Sequence, residues 1–139
     1  MHRTFNLVLY TTIIFLVLVS VIVPSNSHAE GLGGTWEGQV TQNDPPLDYP
    51  MEMNLYGNKG NTNYPSIPCG GNLEYLRTDG RSFWYREHIT SGMDKCIDGG
   101  IIQLQRLRPG DNTTWDWRWE GGGIITRGVI HGSGVAEAK

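Results

Sequence analysis

Histidine and cysteine are scarce in this chain, and their scarcity removes whole classes of chemistry. Four histidines are present, and two of them, His2 and His28, fall in the first 29 residues. His88 and His131 remain, far apart in the chain, and nothing in the pattern converges on a metal cluster or a nucleophilic triad. The segment His131-Gly132-Ser133-Gly134 matches a nucleophile elbow only loosely and lies near the C-terminus. The two cysteines, Cys69 and Cys96, lack the C-x-x-C spacing of redox and zinc sites. Basic residues are outnumbered, 11 against 14 acidic, and form no stripe, which argues against nucleic acid and anionic membrane as partners. Helical periodicity is hard to find after residue 30. No catalytic residue, metal ligand or cofactor motif stands out, and the sequence is read as that of a non-enzymatic protein.

One long hydrophobic run is present. Residues 5–23 are almost entirely apolar, Arg3 precedes them, Pro24 ends them, and Ser27-His28-Ala29 places small residues at a cleavage site. This is the pattern of a secretory signal peptide cut after Ala29. The alternative is an uncleaved anchor, since about nineteen residues can just span a bilayer; the cleavage site and the lack of basic residues after it favour removal. No stable membrane span is then expected, and the mature protein, 30–139, is expected to be one domain, secreted or periplasmic. Losing Arg3 makes the formal net charge of −3 one unit more negative. Export also favours a Cys69–Cys96 disulfide, the one intramolecular pairing that two cysteines allow. In the chain-entropy picture its closure is worth roughly 3–4 kcal/mol.

Nineteen glycines and five tryptophans together suggest a turn-rich all-β domain. Alternation of period two recurs between glycine turns. It is seen in "GTWEGQVT" (34–41), "YPMEMNLY" (49–56), "CGGNLEYLR" (69–77) and "SFWYREHIT" (82–90). It continues in "IIQLQRLR" (101–108), "TWDWRWE" (114–120) and "IITRGVI" (124–130). Seven or eight sequential strands predict a small antiparallel up-and-down, calycin-like barrel, the simplest way to hide every edge. The segments 43–50 and 61–69 are expected to be proline-stiffened loops. "NTT" at 112–114 is a glycosylation acceptor sequence relevant only in a eukaryotic secretory pathway.

Two resemblances follow from these residues. Tyr64, Pro65, Ser66, Cys69, Gly70, Gly71 and Leu73 form a Y-P-S-x-x-C-G-G-x-L pattern. Tyr85, Glu87, Ile89 and Thr90 follow as aromatic-x-E-x-I-T, and Cys96, Asp98, Gly99 and Gly100 as C-x-D-G-G. The order resembles a small extracytoplasmic β-domain of bacteria, found as a secreted protein and attached to some membrane serine/threonine kinases. That resemblance implies fold and compartment; it brings no ligand or activity. The Gly34-Thr35-Trp36 run is similar, more weakly, to the start of lipocalin and avidin barrels, whose tryptophan closes one barrel end.

Candidate binding residues come from the alternation. Trp115, Trp117 and Trp119 share one face, where indoles either fill a barrel or stack a ligand. Glu87 shares a face with Phe83, Tyr85 and Ile89, so an inward carboxylate needs a partner or a proton. Arg106, in phase with Ile102 and Leu104, is the expected partner. Trp117, Tyr85, Glu87 and Arg106 are therefore the expected lining of a pocket for a small apolar or glycan-like ligand or an envelope component. The alternative is an inhibitor or immunity-type protein that blocks an envelope hydrolase protein through loops 43–50 and 61–69, an analogy at the level of fold.

Overall fold

The computed structural model describes residues 32–133; the expected signal peptide and its cleavage site lie outside the described residues. Eight strands run in sequence: β1 (Gly33–Asn43), β2 (Pro46–Tyr56), β3 (Lys59–Tyr64), β4 (Cys69–Thr78), β5 (Ser82–Ser91), β6 (Ile101–Arg106), β7 (Thr114–Gly121) and β8 (Ile124–Ser133). Each pairs antiparallel with its chain neighbours, and β1 also pairs with β8, closing the barrel.

The local reason for each strand is its alternation. On β2, Tyr49, Met51, Met53 and Leu55 are buried while Glu52 and Asn54 are exposed. On β5, Phe83, Tyr85, Glu87 and Ile89 point inward, and on β7 the three tryptophans do so. Each large apolar side chain fully withdrawn from water contributes about 1.5–3 kcal/mol. A register slip of one residue would turn these faces outward, so burial fixes the pairing.

The segments expected as loops are mostly strand. Residues 43–50 hold the end of β1, a short turn at Asp44–Pro45 and the first half of β2. Pro46 and Pro50 fit because this half of β2 pairs with β1 alone; its ladder to β3 begins at Glu52. One flank there is an edge, where a residue without an N–H is tolerated. Likewise 61–69 shrinks to the turn 65–68 between β3 and β4.

The two barrel ends differ. At the end carrying the β2–β3, β4–β5 and β6–β7 connections, Leu32 is fully buried as a plug. Its N–H donates to the Tyr85 hydroxyl at 3.0 Å, and that hydroxyl donates to the Gly57 carbonyl at 3.3 Å. Above the plug, Trp36 and Phe83 meet the Trp115 ring edge-on, with centroids 6.2 and 5.7 Å apart. This half is packed shut. The opposite end, with the β1–β2, β3–β4, β5–β6 and β7–β8 connections, is the mouth.

The Cys69–Cys96 disulfide is formed across that mouth, with a Cα–Cα distance of 6.3 Å. It ties the start of β4 to the middle of the β5–β6 loop. The same loop is held at its base by Glu87 N–H to Gly100 O (2.8 Å) and Gly99 N–H to Glu87 O (3.0 Å). Asp98 adds a further tie by accepting from the Ile89 N–H at 2.8 Å. Among the described residues no helix is long and apolar enough to cross a membrane.

Candidate functional site

A cavity of about 150 Å³ opens at the mouth. Its walls are Tyr49 from β2, Tyr64 from β3 and Trp119 from β7, and Ile67, Ile97 and Ile124 stand at loop level. Cys96, Lys95 and Gln42 complete the lining. Glu87, from β5, lies deepest in chemical terms: it is 1% exposed, against 40% for Ile97.

Three uncharged donors hold the Glu87 carboxylate. Thr62 Oγ1 and the Tyr64 hydroxyl both donate to Oε2, at 2.5 and 2.7 Å. The Trp119 indole N–H donates to Oε1 at 3.0 Å. Thr62 and Tyr64 arrive together because they alternate on the inward face of β3. Trp119 reaches Glu87 past the mouth end of β6, where Gly100 leaves room. A Cβ on Gly100 would stand 2.2 Å from the Trp119 ring.

Burial pushes the Glu87 carboxyl up from its ordinary value; the three hydrogen bonds oppose this, and the nearby Asp98 charge adds to it. The Tyr64 phenol is pushed well up by burial and then by the Glu87 charge. Tyr49, which donates to Thr126 Oγ1 at 3.4 Å, is raised mainly by burial.

Of the four residues expected to share a pocket, the mouth brings in Glu87 alone. Trp117 is fully buried in the barrel core, and its indole N–H has no hydrogen-bond partner among the described residues. Tyr85 spends its hydroxyl on the Leu32 plug, and burial lifts its phenol to about 12. The expected Glu87–Arg106 pairing does not form. Arg106 ends β6, where its N–H donates to the Arg81 carbonyl and its guanidinium lies 5.2 Å from the Trp115 ring centroid. Glu87 sits beside Gly100, before the other end of that strand. Both side chains have inward phase, but they stand at opposite heights in the barrel.

The residues missed were Thr62, Tyr64 and Tyr49. Thr62 and Tyr64 fall in the segment expected as a loop, and it is their place in β3 that carries them to a residue two strands away. The tryptophan that matters at the mouth is Trp119, two positions from the one expected. Both described histidines face outward: His88 Nε2 is 3.0 Å from Glu74, and His131 lies near Thr114 on the outer surface. Among the described residues no group of three His, Cys, Asp or Glu side chains is placed to hold a metal ion. The chain matches no protein-family model and no curated protein, so the functional reading rests on the geometry of the mouth.

Proposed function

We propose that the protein is an exported, non-enzymatic binding module whose barrel mouth holds a small, mainly apolar molecule with one polar head. The observation that carries this is the cavity itself: aromatic walls and aliphatic rim around a buried carboxylate. Pockets of this kind owe affinity to apolar contact and orientation to a few fixed polar groups. A volume of about 150 Å³ is smaller than the roughly 300 Å³ at which sites for drug-sized molecules begin. That favours a head with a short stem over an oligosaccharide. The disulfide and the absence of a membrane-crossing helix among the described residues are compatible with a secreted or periplasmic protein. An envelope protein partner engaged through 43–50 and 61–69 has less support, because most of both segments is committed to the barrel wall.

The test is an NMR titration of the mature, oxidised protein with n-butanol, phenol and methyl glucoside, following the five indole N–H signals. Binding at the mouth moves the Trp119 indole signal and leaves that of Trp117 in place. Saturating shifts confined to the closed end, or none with any small probe, would refute the proposal.

A further inference from the structure

The cavity ends on an anion whose hydrogen-bond partners are all uncharged. We propose that the mouth takes the head of a small primary ammonium compound, an alkyl- or aralkylamine whose apolar stem lies along the rim. This rests on the reading of the mouth as a ligand site and names the class of its ligand.

The donors around Glu87 are arranged for a carboxylate. The Thr62 and Tyr64 contacts, 2.5 and 2.7 Å, have the length of hydroxyl-to-carboxylate hydrogen bonds. The Trp119 indole can only donate, which excludes a proton on Oε1 in its direction. A carboxylate offers about four acceptor positions. Oε2 receives two donors and Oε1 one, so Oε1 keeps an unused position. An ammonium N–H satisfies that position and the charge together.

The electrostatics point the same way. A buried anion without a counter-charge is costly, and pairing removes that cost. The charge acting on Glu87 from the loop is Asp98, of the same sign. Among the described residues Lys95 is the one cationic side chain lining the cavity, and it is exposed at the rim. Phenol and indole walls add attraction for a cation. Beyond the head, Ile67, Ile97 and Ile124 offer a surface for a few carbons.

The experiment compares n-butylammonium with n-butanol, matched in size, on the mature oxidised protein by Trp119 indole shifts at pH 8. The ammonium is expected to bind at least tenfold more tightly. Glu87→Gln is expected to bring the two to equal affinity. Wild-type protein gives the same test without a substitution: the preference disappears as the pH falls and Glu87 takes up a proton, while n-butanol binding stays constant. Tyr49 and Tyr64 remain neutral throughout. Asp98→Asn is expected to keep the pH-dependent preference with its midpoint moved toward acid, because the Asp98 charge helps raise Glu87; loss of the pH dependence there would assign it to Asp98 and overturn the inference. Equal binding of both probes by the wild type also overturns it, with the ligand site left standing; no shift with either probe refutes the site itself. A preference that emerges only in Lys95→Met would show that the lysine fills the site, and that result too overturns the inference.

Discussion

Removing Glu87 tests whether the carboxylate organises the mouth. In Glu87→Ala the Thr62 hydroxyl, Tyr64 hydroxyl and Trp119 indole lose their shared acceptor. A buried donor left without a partner costs about 1–3 kcal/mol. The two hydroxyls both address Oε2 and can turn toward each other, so the three losses do not simply add. The expected destabilisation is about 3–5 kcal/mol, less than three such penalties in full. That is a large share of the roughly 5–15 kcal/mol that holds a domain folded. Glu87→Gln should cost only about 1–2 kcal/mol. Its oxygen can keep Trp119, and its amide can donate to the two hydroxyls, which accept as well as they donate. Urea unfolding of the oxidised mature chain measures both, as a lowered midpoint at unchanged slope.

The pH dependence supplies an independent check with a definite sign. Burial raises the Glu87 carboxyl in the folded state, so between the unfolded and folded values the native state binds more protons. Stability from this group is then fully present below the unfolded value, about 4.3, and is lost as pH rises through the folded one. The wild type's advantage over Glu87→Gln is greatest in acid and shrinks by at most about 1.4 kcal/mol per pH unit within that window. An alanine variant that loses less than about 1 kcal/mol, or an advantage that widens with rising pH, would refute the reasoning.

Other predictions follow from the same packing. Gly100→Ala drives a methyl into the Trp119 ring; overpacking of this kind costs about 1–3 kcal/mol, and the Trp119 indole proton should lose the shift of its Glu87 hydrogen bond. Trp117→Ala empties a fully buried site and should cost about 3–5 kcal/mol, seen as a fallen midpoint in urea with no selective change at the mouth. Replacing both cysteines by serine removes the tie between β4 and the β5–β6 loop. It should cost roughly 3–4 kcal/mol and speed amide exchange in 92–100 more than in β1.

Much of the barrel was legible because strand alternation is local. Tyr49, Met51, Met53 and Leu55, and the tryptophans of β7, declare their face from spacing alone, and glycine-containing turns mark the ends of β2, β4, β5, β6 and β7. The proline segments misled because proline opposes a paired strand in general. Here Pro46 and Pro50 occupy a stretch bonded on one side only, a circumstance set by how far β2 outruns β3.

By itself the sequence determined the all-β class, the order of most strands, the inward face of those strands and the single possible disulfide, since each follows from neighbours along the chain or from counting. Tertiary structure decided the height at which inward residues meet. Period two says which face a side chain takes and nothing of its level along the barrel axis. So Arg106 and Glu87 share a face and end at opposite ends of β6, while Thr62, Tyr64 and Trp119 converge on one carboxylate. The stagger between strands, fixed when β1 closes against β8, sets those levels.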